Sequence, residues 1–371
     1  MLKEGISIAI IGTRGIPNNY GGFEQFAEYL SVGLVQRGCK VTVYNSHSHP
    51  FQDKTWNGVD IVHCNDPENK YGTIGQFIYD FNCILDTRRK SYDIILQLGY
   101  TSSSIWWRLL PKRKTIITTN MDGLEWKRTK FSKPTQLFLR FAEKLAIKHS
   151  DYLISDSIGI QKHISDSYGM ESTYIPYGSH VFSNPSQDML RKYNLVAYEY
   201  NMLIARLEPE NSIELILDGV VTSKKKSIFL VIGNHKTKYG EYLKYKFKNN
   251  SNIVFLGGIY DIEVLNNMRY YSNIYFHGHT VGGTNPSLLE AMGSSSLICA
   301  QDNIFNKSIL KKDAYYFKTI ANVSKLIDSV YKNKEVNKIE NNLKKINKTY
   351  SWKVITDQYL RHFKEILNTN S

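Results

Sequence analysis

Short runs of apolar, β-branched residues alternate with longer segments of helical periodicity along the chain. Near the N-terminus, ISIAII is followed by a glycine-rich loop, a helical pattern over residues 23–37 and the strand pattern KVTVYN. A continuous apolar run is typical of a strand buried on both faces of a parallel sheet. The alternation continues with VDIVHC, a helix over 75–88, YDIILQL, KTIITT, a helix over 135–149, DYLIS, a helix over 157–168 and STYIP. The first half therefore reads as a doubly wound α/β domain.

A polar segment, YGSHVFSNPSQDML, then interrupts the pattern, and its glycine, serine, asparagine and proline predict a linker. After it, the strands YNMLIA, IFLVIG, NIVFLG, NIYFHG and SLICA alternate with helices over 212–221, 239–249 and 262–271, and two more helices are predicted near 323–332 and 352–367. Two successive sets predict an α/β fold with two Rossmann-like, doubly wound domains facing across a cleft. The predicted domains span residues 1–176 and 177–350.

Length and composition agree with two folded domains. The 371 residues suit two domains of ~150–200 residues each, and 42% hydrophobic with 22% charged residues is the composition of a folded chain. The four cysteines are far apart without a C-x-x-C pair, which argues against a zinc site or a disulfide framework. The first apolar run is too short for a signal peptide, and none approaches the ~20 residues that span a bilayer. These features predict a cytoplasmic protein.

The formal charge of +13 raises the question of an anionic partner. No zinc-finger spacing, RNP-like motif or arginine-rich arm accompanies it, which argues against nucleic acid. Lysines over 332–348 and 224–226 are interpreted as a solvated face. A basic and aromatic group in the first half suits contact with an anionic membrane or an acidic acceptor, and a solvated face without a partner is the equal alternative. The group comprises Lys127, Arg128, Lys130, Lys133, Trp106, Trp107, Trp126 and Phe131.

The stretch HGHTVGGTNPSLLEAM (277–292) carries the strongest candidate chemistry. Gly282 and Gly283 are followed by Thr284 and by Asn285, a predicted cap for a helix that starts at Pro286. Such a helix N-terminus presents N–H groups and a partial positive charge, which favour a phosphate. The carboxylate of Glu290, one turn later, can accept hydrogen bonds from sugar hydroxyls. An alternative needs no ligand: Ser287 and Glu290 also match an S-x-x-E capping box.

A second glycine-rich loop, GTRGIPNNYGG, follows the first strand. It lacks G-x-G-x-x-G, which weakens a dinucleotide site, and it lacks G-K-[ST], which excludes a P-loop ATPase. Gly21 and Gly22 stand directly before a predicted helix, where the backbone can approach a diphosphate. Arg14 and Tyr20 could bind an acceptor. The alternative is a long loop whose glycines serve only as turns.

Two more strand ends carry charged residues, and ligands of open α/β sheets bind at these ends. The loop NMDGLEWKR contains Asp122, Glu125, Trp126 and a basic pair. Arg206, in ARLEPEN, follows the first strand of the second half, where a guanidinium can bind a phosphate through two hydrogen bonds. A surface salt bridge is the alternative for Arg206.

Taken together, these motifs resemble the GT-B glycosyltransferases of retaining family four, and in particular the bacterial rhamnosyltransferase-type enzymes of surface polysaccharide assembly. The matching stretches are GTRGIPNNYGGFE, NMDGLEWKR, ARLEPEN, HGHTVGGTNPSLLEAM and YSWKVITDQYLRHF, which cover most of the chain. The resemblance implies a metal-independent transferase without a cofactor. The sugar nucleotide is expected on the second domain, the acceptor on the first, and a last helix (351–371) packing back on the first.

The resemblance also implies roles for single residues. Glu290 matches the glutamate on the ribose, Arg206 a catalytic arginine on the diphosphate, and Asp122 a second catalytic position. The other predicted donor-binding residues are Gly21, Gly22, Asn211, Gly282, Gly283, Thr284, Asn285, Ser287 and Leu288, and the predicted acceptor-binding residues are Arg14, Tyr20, Glu125, Trp126, Lys127 and Arg128.

Three positions depart from the broad family pattern. Asn211 stands where the family has a lysine for the diphosphate, and Gly282 where it has the first glutamate of an E-x7-E pair. Asp122 stands where it commonly has a histidine. All three departures fit the rhamnosyltransferase-type branch, whose 6-deoxy sugar needs different contacts.

The expected reaction moves a sugar from a nucleoside diphosphate to an acceptor hydroxyl with retention of configuration. Rhamnose from dTDP-rhamnose, a lipid-linked saccharide acceptor and a peripheral position on the inner face of the cell membrane follow from the resemblance. Two other functions use the same features. A GT-B sugar-nucleotide epimerase would need no acceptor, and a basic scaffold would bind a membrane or polyanion without chemistry.

Overall fold

The computed structural model describes residues 5–19, 21–112, 115–121, 123–128 and 130–369. The chain forms two compact units. The first comprises Met1–Trp126, Lys133–Tyr177 and Trp352–Ser371, and the second comprises Lys127–Ser132 and Gly178–Ser351. Each unit contains one sheet built almost entirely of parallel strands. The predicted α/β class with two parallel-sheet domains is confirmed. Within the described residues, no helix combines the length and apolar character needed to cross a bilayer.

The first unit is built on an eight-stranded sheet. Its strands are β1 (Ser7–Ile11), β2 (Lys40–Ser46), β3 (Thr55–Trp56), β4 (Val59–Cys64), β5 (Ile94–Leu98), β6 (Ile116–Met121), β7 (Tyr152–Ser155) and β8 (Thr173–Tyr174). Their order is β3-β4-β2-β1-β5-β6-β7-β8, and β3 is antiparallel to β4 whereas the other pairs are parallel. β3 was not predicted, because two residues are too few to show a period.

Helices flank this sheet, and all but the four-residue α2 lie where the periodicity predicts them. They are α1 (Gly22–Val35), α2 (Glu68–Tyr71), α3 (Thr73–Thr87), α4 (Lys133–His149) and α5 (Ile158–Tyr168). α5 is capped by Ser157, whose side chain accepts a hydrogen bond from the N–H of Ile160, and it ends at Gly169 in the left-handed region. Cys83 and Ile84 of α3 are fully buried and belong to the same core cluster as Ile95 of β5.

The second unit contains six parallel strands. They are β9 (Tyr200–Ile204), β10 (Ile228–Ile232), β11 (Ile253–Gly257), β12 (Ile274–His277), β13 (Ile298–Gln301) and β14 (Tyr315–Phe317), in the order β11-β10-β9-β12-β13-β14. The chain therefore builds outwards from β9 in one direction and from β12 in the other. Parallel pairing of β9 with β12 brings their carboxyl ends together, and this reversal of strand order is where open α/β sheets bind ligands.

The helices of the second unit are α6 (Asp188–Arg191), α7 (Ile213–Thr222), α8 (Lys238–Lys246), α9 (Ile262–Tyr271), α10 (Pro286–Gly293), α11 (Ile304–Leu310), α12 (Ile320–Ser329) and α13 (Val336–Lys345). The sequence did not predict α6, α11, α13 or β14. α6, α11 and β14 span seven residues or fewer, and α13 lies in a polar stretch interpreted as a lysine cluster.

The chain returns to the first unit through α14 (Trp352–Thr369), which packs on α1. The ring of Tyr359 meets that of Phe26 at a centroid distance of 5.4 Å. Asp357 forms an ion pair with Arg37, with Oδ1 and Nε 2.6 Å apart. A Cβ atom on Gly33 would lie 2.7 Å from Oγ1 of Thr356, so the absence of a side chain there allows the close approach of the two helices.

The interpretation of the late lysines as one solvated face is wrong for two of them. Lys332 is buried, and its Nζ donates a hydrogen bond to the carbonyl of Tyr270. The same Nζ lies 5.1 Å from the centre of the Tyr270 ring. Burial lowers the pKa of Lys332 to about 7. Lys345 forms an ion pair with Asp313 at 2.8 Å. These two lysines therefore belong to the packing of the second unit and not to a surface for an anionic partner.

Candidate functional site

Two loops meet at the reversal of strand order in the second unit. One follows β9 (residues 205–212) and the other follows β12 (residues 278–285). The backbone N–H and the hydroxyl of Thr280 both donate to the carbonyl of Glu210, at 3.2 and 2.7 Å. A Cβ atom on Gly278 would lie 2.0 Å from the carbonyl oxygen of Asn211, so only glycine fits there. The two loops are thus joined main chain to main chain.

Arg206 lies two residues beyond β9, and its side chain is exposed. Its carbonyl accepts hydrogen bonds from the side-chain amide of Asn211 at 2.7 Å and from the N–H of Glu208 at 2.8 Å. These bonds fix the backbone from which the guanidinium projects. Asn211, predicted to bind the donor, therefore has its amide nitrogen committed to the main chain of Arg206.

The segment Lys127–Ser132 comes from the first half of the sequence but belongs to the second unit. Nη1 of Arg128 lies 3.8 Å from Oε1 of Glu210, and Nζ of Lys130 lies 3.9 Å from Oε1 of Glu208. Arg128 was predicted to bind the acceptor, together with Lys127, on the first domain. The structure instead brings it to the loop after β9, because two glutamates of that loop attract the basic residues of the segment.

The turn after β12 leads directly into α10, as predicted. Asn285 caps the helix, its side chain accepts from the N–H of Ser287 at 3.0 Å, and Pro286 is the first helical residue. Gly282 has a φ of +127°, and a Cβ atom there would meet nothing within 4 Å. The backbone conformation therefore favours glycine at the position where the family pattern has a glutamate.

The capping-box alternative for this stretch is wrong. Ser287 is the second residue of α10, not its cap, and its hydroxyl lies 2.7 Å from that of Tyr275. Glu290 pairs with Arg269 of α9, at 2.6 Å between Oε2 and Nη2. The side chain of Arg269 is only 1% exposed. Leu288 is a core residue whose N–H donates to the carbonyl of Asn285, which argues against its predicted contact with the donor.

Two histidines lie beside this turn. The rings of His277 and His279 stack at a centroid distance of 4.3 Å. Burial, His279 and Arg269 hold the pKa of His277 well below its usual range. Burial, followed by the charges of Arg206 and Arg128, lowers the pKa of His279 to about 3. Both imidazoles are therefore neutral at neutral pH.

Arg269, Tyr275 and the two histidines were missed by the sequence analysis. Arg269 is separated from Glu290 by 21 positions in the sequence, and no local spacing predicts an ion pair between such residues. The two histidines did carry a signal. They flank Gly278 at the carboxyl end of a buried strand, directly before the glycine turn.

Other predicted site residues belong to the first unit. α1 begins at Gly22 with Gly21 as its cap, as predicted. Oε1 of Glu24 accepts from the N–H of Arg14 at 2.9 Å and closes the loop back on the helix. A Cβ atom on Gly12, which has a φ of +87°, would lie 2.3 Å from the carbonyl oxygen of Leu98. Tyr20 and Asp122 lie outside the described residues.

Arg14 was predicted to bind the acceptor, but its guanidinium makes two hydrogen bonds to Glu68, at 3.0 and 2.7 Å. Burial raises the pKa of Glu68, and the hydrogen bonds from Arg14 and Gln76 outweigh it, so the pKa is lowered overall. Both carboxylate oxygens of Glu68 are thus engaged by this arginine within the first unit.

The predicted aromatic and basic surface is not formed by its tryptophans. Nε1 of Trp126 donates to Glu143 at 3.0 Å, and Nε1 of Trp106 donates to the carbonyl of Phe77 at 2.9 Å. Trp107 stacks on His149 at a centroid distance of 3.5 Å. All three rings are half-buried. Glu125 is half-buried beside Trp126 and Lys127 is exposed, both in a short 3-10 turn.

Comparison with known proteins supports the fold. Residues 6–180 match a family model described as a domain of unknown function, DUF1972. No curated protein matches the chain. The fold is similar to sucrose-phosphate synthase from Thermosynechococcus elongatus (TM-score 0.78, 14% identity, 98% of this chain and 100% of that chain covered).

Two further solved structures have the same fold. HepE from Anabaena, in complex with UDP-glucose, has a TM-score of 0.72 at 13% identity and covers 98% of this chain and 99% of its own. A glycosyltransferase from Rickettsia africae has a TM-score of 0.73 at 12% identity, with both chains covered completely. The architecture is therefore that of GT-B glycosyltransferase structures.

Proposed function

We propose that the chain is a retaining, metal-independent glycosyltransferase that uses a nucleoside-diphosphate sugar. The supporting observation is the joined pair of loops in the second unit. Arg206 is exposed on one loop, and the other brings the glycine turn to the capped N-terminus of α10. A guanidinium and a helix N-terminus at one sheet edge are groups that bind a diphosphate.

In the proposed reaction, the bond between the anomeric carbon and the β-phosphate oxygen breaks while a bond to the acceptor oxygen forms. Negative charge grows on the departing phosphate, and Arg206 and the α10 terminus stabilise it. The acceptor hydroxyl attacks from the face of the departing phosphate, which takes its proton. Asp122 is proposed to position the sugar or acceptor, and Glu290 to bind the ribose.

The finer identity of the substrates rests on the sequence resemblance. We infer rhamnose from dTDP-rhamnose as donor and a lipid-linked saccharide of polysaccharide biosynthesis as acceptor. Gly282 is compatible with such a donor, because the carboxylate that contacts the sugar in the broad family is missing there. HepE was crystallised in complex with UDP-glucose, and its similar fold supports a nucleotide sugar as the class of ligand.

A donor panel tests the proposal. dTDP-, UDP- and GDP-sugars are screened by thermal shift, and the best donor is then incubated with candidate saccharide acceptors while the products are separated. We expect a rise in Tm with one base and sugar, and release of nucleoside diphosphate only with an acceptor. An isomerised donor, or free nucleotide without an acceptor, indicates the epimerase instead. No shift with any donor, together with binding that salt abolishes, indicates the scaffold.

We also infer a peripheral position on an anionic membrane, through one face of α4. Leu137 and Phe141 are 67% and 54% exposed, and the exposed Lys133, Lys144 and Lys148 lie on the same stripe of the helix. Apolar side chains flanked by lysines along one helix face are suited to the headgroup region of an anionic bilayer.

Replacing Leu137 and Phe141 together by glutamate should lower partition onto phosphatidylglycerol-containing vesicles at least about tenfold, because each buried apolar side chain contributes about 1.5–3 kcal/mol. Co-sedimentation measures the effect. Tyr260→Glu serves as the control, since Tyr260 is an 87% exposed aromatic residue of the second unit. Equal partition of all three proteins contradicts the assignment of this face.

A further inference from the structure

His279 is held firmly at the carboxyl edge of the second sheet. It lies two residues beyond β12, and its ring stacks on that of His277. Its carbonyl accepts hydrogen bonds from the side-chain amides of Asn303 at 2.9 Å and Asn306 at 3.2 Å. The backbone of His279 is thus hydrogen-bonded to the segment after β13, while its ring stacks on that of His277.

The ring of His279 has a hydrogen-bonding atom without a partner. Within the part of the chain that the structure describes, its Nδ1 is buried and has no hydrogen-bond partner, and neither has a ring nitrogen of His277, which is 1% exposed. Buried polar atoms in folded proteins nearly always have partners. His277 is buried and His279 is half-buried at the edge of the sheet where ligands bind, so a ligand bound there can supply the missing contact to Nδ1 of His279.

The charge around His279 indicates the chemical class of that ligand. The charged groups that act on its ring are the guanidinium groups of Arg206 and Arg128, and both lower its pKa. Burial, followed by these two charges, lowers the pKa of the imidazole and keeps it neutral, so that it has one N–H to donate. Arg128 is paired with Glu210 at 3.8 Å, whereas the side chain of Arg206 is exposed. A guanidinium group favours an anion strongly and a neutral sugar hydroxyl only weakly. In a sugar nucleotide, the diphosphate carries the negative charge.

We propose that the Nδ1–H of His279 donates a hydrogen bond to the donor's diphosphate, with Arg128 as a second cation beside Arg206. This inference rests on the proposed glycosyltransferase function. It accounts for Asn211, which stands where the family pattern has a lysine and whose amide is used by the carbonyl of Arg206. His279 and Arg128 take over the contact that this lysine would make.

The test compares nucleotides that differ by one phosphate. Affinities for UMP and UDP, dTMP and dTDP, and GMP and GDP are measured by titration calorimetry with wild-type protein and His279→Ala. We expect the diphosphate of the preferred base to bind about 10- to 100-fold more weakly to the variant, as for the loss of a hydrogen bond to a charged group. Affinity for the matching monophosphate should be unchanged.

Two conservative variants identify which ring nitrogen of His279 donates to the diphosphate. The side-chain amide of asparagine places an N–H near the position of Nδ1, whereas that of glutamine reaches towards Nε2. His279→Asn should recover most of the diphosphate affinity and His279→Gln little of it. His235→Ala is the control. His235 follows β10 at the same edge, also has a buried Nδ1 without a partner among the described residues, and lies near lysines rather than arginines.

The outcomes distinguish failure of the His279 contact from failure of the proposed glycosyltransferase function. Equal weakening of monophosphate and diphosphate, or weakening of the nucleotide sugar alone, overturns the assignment of His279 to the diphosphate and leaves the proposed function standing. The same conclusion follows if His235→Ala changes the ratio of diphosphate to monophosphate affinity as much as His279→Ala does. Absence of nucleotide binding by the wild-type protein overturns the proposed function itself.

Discussion

Replacing Arg206 by alanine is expected to lower turnover at saturating donor at least about 100-fold. The guanidinium is proposed to stabilise charge that develops on the departing β-phosphate, and the loss of one such donor costs about 3 kcal/mol in the transition state. Steady-state measurement of released nucleoside diphosphate, together with donor affinity from calorimetry, separates a loss of turnover from a loss of binding.

A matched control for this variant is available in the same unit. Arg191 is an exposed arginine of α6 whose side chain is 84% exposed and pairs with Asp188. Arg191→Ala should retain wild-type turnover. Arg206→Lys keeps the charge but not the two-pronged geometry, so its turnover should be intermediate. Unchanged turnover of Arg206→Ala with donor bound would refute the catalytic role.

Replacing Glu290 by alanine is expected to lower both the free energy of unfolding and donor affinity. The side chain of Arg269 is 1% exposed, and its ion pair with Glu290 is the shortest contact that its guanidinium makes, at 2.6 Å. Removing one member of a buried pair leaves the other charge uncompensated, which costs about 3–5 kcal/mol. Urea denaturation measures this loss.

A double variant separates the structural role of Glu290 from its proposed contact with the ribose. Arg269→Met combined with Glu290→Met removes both charges, and such replacement of a buried ion pair by apolar residues is often neutral for stability. We expect the free energy of unfolding to return towards the wild-type value while donor affinity stays low. Recovery of both would show that Glu290 acts only through the fold.

Elements with a clear period could be predicted from the sequence, and contacts between distant positions could not. Most strands of both sheets were located because continuous apolar runs mark buried parallel strands. The cap of α10 was located because Asn285 and Pro286 are adjacent. β3 and β14 were missed because two or three residues carry no periodic signal.

The candidate site shows the same division. The glycine turn and Arg206 could be predicted because each directly follows a recognisable strand. The ion-pair partner of Glu290 could not be predicted, since Arg269 becomes its neighbour only when α9 packs beside α10. The three tryptophans were misread because the sequence shows their apolar rings but not the carboxylate, the carbonyl and the histidine on which they pack.

The contact of Gly278 with the carbonyl of Asn211 has a consequence for how this site can change. The two backbones touch with no room for a methyl group, and Thr280 donates two hydrogen bonds to the carbonyl of Glu210, so a change in the length of either loop would disrupt contacts with the other. We therefore expect the two loops to tolerate insertions poorly. Related chains that accept other sugars should differ in the side chains that project from this paired scaffold, while its backbone stays the same.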